Sequence, residues 1–481
     1  MNIRIYLTTV LLLAMHFASG QGVTDSLLYL PDSVRPLTID NFYAQVLKNH
    51  PVAKQADLLT EFAKQELRLA RGNFDPKLEA QYLAKNFGDV DYYKIFNSSL
   101  KFPSVLPFDP SIGVEQNSGK YLNPERYISE NFDFRQFYAG VSLPLLRGLI
   151  TDDRRAALRQ AELFGDMMEA EQLKAINKLF LEAAKDYWQW SISYYNFRLY
   201  NQNVAIAEEI FRRVRLNYEL GEAAPIDTIQ AKITLQQRLV ERQEALLDFQ
   251  NSGIQLSNYL WDSLSNPLEL SLQFAPVMNR DIIGITAAQL EELTNLAREN
   301  HPDIQKLDVK LQQLDVDRRL AAEYLKPKLD LNYYFLNQPF DPEWNSSFGF
   351  GDNYKFGVDF SFPIFLRKER AKLAQTRLKI TNTMLDRSIT ERQVLNQINT
   401  SYNTLVNNGL IISQQSEMVN NYNRLLEAEL INLENGESDL FKINIQIEKL
   451  IQSQSKFIKL LGDYEKQKAF LYWAAGVRRL N

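Results

Sequence analysis

Four short segments of the chain alternate apolar and polar residues with a period of two. In the first, Leu78, Ala80, Tyr82 and Ala84 share one side, against Lys77, Glu79, Gln81 and Lys85. In the third, Leu329, Leu331, Tyr333 and Phe335 oppose Lys328, Asp330 and Asn332. The fourth is the cleanest: Tyr354, Phe356, Val358, Phe360 and Phe362 oppose Lys355, Gly357, Asp359 and Ser361. The second, Phe137, Ala139, Val141 and Leu143, is weaker, because Phe132 and Phe134 join the row only through a bulge or slip. A period of two puts one face of a strand in an apolar medium and the other in water. Each run is near the ~9–11 residues of a tilted membrane strand, and aromatics crowd the apolar side. An ordinary antiparallel sheet on a soluble core is the competing interpretation of the same alternation. The strands come in pairs, 77–144 and 328–365, around turn-rich stretches at 88–131 and 337–353 that are expected to be external loops.

The helical pattern has a different scale. From Pro144 to Gly221 (221 − 144 = 77 steps) and from Pro363 to Gly436 (436 − 363 = 73) no proline intervenes. At ~1.5 Å per residue each stretch could span roughly 110 Å. Helices of more than ~25 residues are coiled coils, repeats or membrane spans, and the charges along these stretches exclude the last. Past the second glycine, Ile443, Ile447, Leu450, Gln454, Phe457, Leu461, Tyr464, Lys468 and Leu471 step by threes and fours, a coiled-coil seam with two polar interruptions. The helix after Gly221 has two seams. One holds Leu235, Leu239, Leu246, Phe249, Leu256 and Leu260; the other Ile226, Ile229, Ile233, Val240, Leu247 and Ile254. Two seams fit a stave in a curved wall, or a helix inside a closed bundle. Gly221 and Gly436 suit left-handed helix ends, Pro225 the first turn of a new helix, and Ser438 or Asp439 an N-cap.

The chain is also written twice. Leu47-Lys48-Asn49-His50-Pro51 returns as Arg298-Glu299-Asn300-His301-Pro302, and Pro76-Lys77-Leu78 returns as Pro327-Lys328-Leu329. Both offsets are 251 residues (302 − 51 and 327 − 76). Later landmarks shift, because the stretch between the first two strands is longer than its counterpart in the second half. The expected organisation is a signal peptide at 1–20 and a first repeat at 21–261, with a helical hairpin at 145–261 whose tip lies near 221–227. A connector at 262–285 leads to a second repeat at 286–481, with a hairpin at 366–475 whose tip lies near 436–442.

Composition narrows the class. Arg4, the apolar run Ile5 to Phe17 and Ala18-Ser19-Gly20 read as an export signal, too short for the ~20 residues of a spanning helix. There is no cysteine among 481 residues, which excludes a disulfide framework and a lipidated cysteine. With 54 Lys and Arg against 59 Asp and Glu, net charge −5, the chain lacks the basic balance of a nucleic-acid binder. After the signal only His50 and His301 remain, each before a proline, too few for a metal centre of three or four ligands. No phosphate-cradling glycine loop and no Gly-x-Ser-x-Gly elbow occurs. No enzyme activity, cofactor or metal is expected.

If the strands lie in lipid, four of them cannot close a barrel, and an open edge there leaves N–H and C=O groups unpaired at several kcal/mol each. Oligomerisation is then a physical demand: two copies give about eight strands, three about twelve with room for a lumen.

The duplication, the Asn-His-Pro segments, the strand pairs and the Gly-led tips together resemble the TolC-type outer membrane factors, or outer membrane efflux proteins, over nearly all the mature sequence. The tip Gly221-Glu222-Ala223-Ala224-Pro225-Ile226-Asp227 looks like that family's tip signature, an Asp six residues after the Gly. The resemblance implies a mixed α and β fold: a transmembrane antiparallel barrel, four strands per protomer and twelve in a homotrimer, continued into a periplasmic α-helical coiled-coil barrel. It further implies residence in the outer membrane of a Gram-negative-type envelope and docking to a periplasmic adaptor and an inner-membrane pump, as the exit duct of tripartite efflux or type I secretion. Gly221, Pro225, Asp227, Gly436, Asp439 and Lys442 are the candidate docking or gate residues. The second-half tip departs from the family, because Lys442 and Ile445 stand where acidic residues would ring the constriction. The alternative is a soluble periplasmic coiled-coil scaffold or adaptor without a channel.

Overall fold

The computed structural model describes residues 34–128, 130, 133–221, 223–271, 273–337, 353–435 and 437–477. The expected signal peptide, Gly436 and nearly all of the expected loop 337–353 lie outside the described residues. The chain forms two compact units, one of Met1–Leu58, Glu171–Ile304 and Thr390–Asn481, the other of Leu59–Ala170 and Gln305–Ile389.

The elements run β1 (Arg35–Leu37), α1 (Ile39–Asn49), α2 (Pro51–Arg71), β2 (Lys77–Phe87), β3 (Val90–Lys101), β4 (Asp109–Ser118), β5 (Arg135–Pro144), α3 (Asp153–Glu219) and α4 (Pro225–Ser257). After the connecting strand β6 (Phe274–Pro276) come α5 (Ala287–Asn300), α6 (Pro302–Glu323), β7 (Lys328–Asn337), β8 (Tyr354–Ser361), α7 (Arg367–Glu434) and α8 (Leu440–Ala474). Two helices, strands, one very long helix and a return helix thus occur twice in the same order, and the fold is mixed α and β.

The first unit is a helical core with a small parallel pair, β1 beside β6. Tyr187 and Tyr195, two turns apart on α3, hold that pair. The Tyr187 hydroxyl donates to the Leu37 carbonyl at 2.6 Å and the Tyr195 hydroxyl to the Pro276 carbonyl at 2.9 Å. Burial pushes both phenols up, Tyr195 to about 12, so neither ionises under physiological conditions. Around them Phe42, Trp190, Leu199, Leu256, Ile398, Ile458 and Leu471 are fully enclosed. The seam anticipated on α8 is the buried one, down to its polar interruptions: Ile443, Phe457, Leu461, Tyr464 and Leu471 are buried, and so are Gln454 and Lys468.

The second unit carries the sheet. Among the described residues six strands pair in the order β2-β3-β4-β5-β7-β8, every neighbour antiparallel. This corrects the expected four strands per protomer. The stretch 88–131, expected as an external loop, contains β3 and β4, a hairpin inserted between the first two anticipated strands. Gly88 and Asp89, both with positive φ (61° and 58°), make the two-residue turn that opens it. β2 and β8 are the free edges of the ladder.

Candidate functional site

The candidate site is a surface rather than a pocket, beginning with the two faces of the sheet. Register aligns Leu78, Leu100, Ile112, Ala139, Phe335 and Tyr354 in one row across all six strands. Ala80, Ser98, Val114 and Phe137 form the row above, and Val141, Tyr333 and Phe356 lie in the same face. The side chains stay open to the surroundings: Leu78 is 76% exposed, Tyr82 63% and Phe360 67%. Water penalises such a surface by ~25 cal/mol per Å², and an apolar patch of this extent marks a contact surface.

The opposite face is polar. One of its rows reads Lys77, Lys101, Ser111, Gly140, Tyr334 and Lys355. Its charges pair with one another: Lys101 with Glu79 at 2.6 Å, Lys328 with Asp330 at 3.0 Å, and Asn332 donates to Asp359 at 2.8 Å. Lys355 on β8 reaches Glu115 on β4 at 3.5 Å, although β5 and β7 lie between them. Neighbouring strands are ~4.8 Å apart, so this pair closes only because the sheet curls toward its polar side. Glycine permits the curl. A Cβ at Gly113 would meet the Tyr138 ring at 2.4 Å, and one at Gly140 would meet Tyr334 at 2.3 Å. The two tyrosines lie over the bare glycines and meet edge to face, centroids 5.6 Å apart.

The helical tips show what each anticipated residue does. Gly221 ends the first tip helix in the left-handed region, φ 79°, and Pro225 is the first residue of α4. The Asp227 carboxylate accepts from the Ala224 N–H at 3.2 Å, closing the first turn of α4. Of the two cap candidates at the second tip, Asp439 is the N-cap: its carboxylate accepts from the Lys442 N–H at 2.9 Å, whereas the Ser438 hydroxyl donates to Glu429. Asp227, Asp439 and Lys442 are therefore tied into the starts of their own helices, and Gly436 is outside the described residues.

The two seams after Gly221 differ in burial. In one, Leu256 and Leu260 are buried in the unit's core, and Leu235, Leu239, Leu246 and Phe249 are half-buried. Ile226, Ile229, Ile233, Val240, Leu247 and Ile254 of the other are all more than half exposed. A third line along α4, Ala231, Arg238, Ala245 and Ser252, one per heptad, is buried. Arg238, 3% exposed, bridges Glu241 at 2.7 Å and Glu448 on α8 at 2.6 Å. Burial works against its charge, and the two carboxylates outweigh that and raise its pKa. α7 repeats the exposed theme with Ile411, Met418 and Leu425 at heptad spacing.

The paired histidines are helix caps. His50 Nδ1 accepts from the Val52 N–H at 3.1 Å and His301 Nδ1 from the Asp303 N–H at 3.2 Å. Each replaces a backbone partner missing at the start of a proline-led helix. Burial holds both imidazoles below the ordinary value, in the neutral form that can accept. The repeat marks the two as one copied position, and the residue order alone does not reveal the cap. Among the described residues no group of three or more His, Asp or Glu could hold a metal ion, and no helix is long and apolar enough to cross a membrane.

The fold, a curled sheet and long helices in one chain, is shared by solved outer-membrane channels. Solved structures of that class match over most of the chain. The Campylobacter jejuni CmeC outer membrane channel aligns with TM-score 0.61 at 15% identity, covering 91% of this chain and 85% of that one. The Vibrio cholerae outer membrane protein VceC gives TM-score 0.63 at 14% identity, covering 91% and 96%. The open state of the Neisseria gonorrhoeae MtrE outer membrane channel gives TM-score 0.63 at 14% identity, covering 91% and 89%. Within the chain, residues 108–260 match the model of the outer membrane efflux protein family. The resemblance drawn from the sequence is borne out. No curated protein matches the chain.

Proposed function

We propose that the chain is one protomer of a homotrimeric exit duct in the outer membrane, conducting substrates delivered by a periplasmic adaptor and an inner-membrane pump. The observation that carries this is the apolar row crossing all six strands, backed by a polar face whose charges are internally paired. Lipid is the medium that such an outer face fits, and a water-filled lumen suits the inner one. The exposed α4 and α7 seams supply the second half of the case, since a helix wall closed by neighbouring copies buries such stripes. The match of residues 108–260 to the outer membrane efflux protein family supports the same role, and that family is one of channels rather than enzymes. A soluble scaffold is disfavoured, because it would leave the whole sheet face wet.

The tips are the proposed docking and gating region. Gly221, Pro225 and Asp227 shape one turn; Asp439 and Lys442 start the helix at the other, three and six residues after Gly436 in the sequence. Asp227 and Asp439 act there first as caps, so an acidic selectivity ring is not part of the proposal. Membrane fractionation tests the assignment: the protein is expected in the outer membrane as a detergent-extractable trimer that conducts in planar bilayers once its tip is opened. Recovery as a water-soluble periplasmic monomer would overturn it. Drug and metal sensitivity of a deletion strain, read beside its secreted proteome, separates efflux from protein secretion.

A further inference from the structure

The inserted hairpin changes the wall. β3 and β4 are hydrogen-bonded on both sides, β3 to β2 and β4 to β5, with eight residue pairs or more in each ladder. Their outward positions Phe96, Leu100, Ile112 and Val114 continue the lipid-compatible face, interrupted by Lys94, Ser98 and Gln116, and their inward positions continue the polar one, with Asn97, Ser99, Glu115 and Asn117. Tyr138 on β5 donates to Asn97 at 3.0 Å, and Lys355 on β8 reaches Glu115, so flanking strands also bond the hairpin across the concave face. The hairpin is built as wall.

The edges say how the wall ends. β2 is exposed along its whole length, β8 nearly so, and both carry the same alternation as the interior strands. Six strands that alternate in direction leave β2 and β8 running oppositely. The β8 edge of one copy therefore meets the β2 edge of the next as another antiparallel neighbour, with apolar face continuing apolar face.

We infer that the wall of the assembled duct closes by pairing β8 of each copy with β2 of the next, with the β3–β4 hairpin as an integral part. Resting on the trimer proposed above, six strands in each of three chains make an eighteen-stranded barrel, where the family resemblance implies twelve. Barrel diameter grows roughly linearly with strand number, so the outer-membrane aperture is about 1.5-fold wider than a ring of four-stranded protomers would give.

The absence of native cysteine makes the test clean. Full-length chains carrying Gln81→Cys on β2 are combined with Lys355→Cys, Gly357→Cys, Asp359→Cys or Ser361→Cys on β8 and oxidised in outer membranes. One register is expected to give covalent species that stop at three chains. In parallel, a variant with residues 88–134 replaced by a short turn joins β2 directly to the antiparallel β5. Electron-microscopic averages of its barrel are expected to be about two-thirds as wide as those of the full chain. Equal widths, or trimers that none of the four pairs cross-links, would overturn the eighteen-stranded wall and leave the duct standing. A full chain that is never trimeric would overturn the duct itself. If the shortened variant does not fold, single cysteines in the full chain decide. Phe96→Cys and Val114→Cys are expected to react with a lipid-soluble probe, and Asn97→Cys and Glu115→Cys with a water-soluble maleimide. The reverse pattern rules the hairpin out of the wall.

Discussion

The sheet and the helices both expose apolar rows in the single chain, yet the rows differ in kind. On the sheet the exposed residues are mostly large and aromatic, with Tyr354, Phe356 and Phe360 along the outer side of β8 and half-buried Tyr333 stacked on Tyr354. On α4 they are aliphatic and thin: Ile, Val and Leu in a single stripe at heptad spacing, flanked by Lys232, Arg242 and Glu244. A broad aromatic face fits a disordered solvent of hydrocarbon, which needs no register. A narrow branched-aliphatic stripe fits another helix, which does. One chain thus presents two apolar surfaces for two partners, and their shapes say which is which.

A charge on the sheet separates the two surfaces most strongly. Val358→Arg, in the middle of the outer face, is expected to cost about 2–4 kcal/mol of membrane stability. Asp359→Arg, one residue on but facing inward, should leave assembly nearly unchanged. Urea unfolding in vesicles reads both, and equal losses would mean that the faces are not lipid and lumen. On the helix side, Val240→Asp removes an aliphatic contact worth about 1.5–3 kcal/mol when buried. It is expected to shift trimers toward monomers in detergent while the monomer keeps its helical signal; a monomer that unfolds would place Val240 in the core instead.

Smaller effects come from the helix starts. Asp439→Ala is expected to lose about 1 kcal/mol and Asp439→Asn much less, since the cap needs an acceptor rather than a charge. Thermal melts of the two variants check it. The smallest effect is a dependence on pH. His50 and His301 are held below their ordinary pKa in the fold, while the unfolded chain takes up protons near pH 6.5. Their stabilisation is therefore complete above that pH and is lost as pH falls below it. The double variant His50→Asn, His301→Asn keeps an acceptor that does not titrate, and its melting temperature should fall less between pH 7 and pH 5.

Much of this was legible in residue order because the period of the pattern states the geometry. The β2, β5, β7 and β8 alternation, the α8 seam including Gln454 and Lys468, and the exposed α4 seam sit where spacing puts them, whereas the buried α4 line of Ala231, Arg238, Ala245 and Ser252 carries too little apolar surface to be read as a seam. The Gly221 turn and the Asp439 cap follow from local chemistry. The hairpin β3–β4 escaped because its outer row is interrupted by Lys94, Ser98 and Gln116, and because Pro110 and Gly113 read as loop residues. Gly113 is bare for another reason: it makes room for a tyrosine from the next strand. The turn signal was present, since Gly88-Asp89 between two strand-length runs is a two-residue hairpin turn. Likewise, nothing in a lone His-Pro dipeptide reveals an imidazole accepting from the backbone two residues on.

The tight turn at Gly88 and Asp89 has an evolutionary corollary. A segment that leaves and returns on the same side of a ladder can be gained or lost whole, without reversing the sense of any strand that follows it. In the proposed duct, calibre can then be inherited as a cassette in steps of two strands per subunit, while everything downstream, from the long helices to their caps, is spared any redesign.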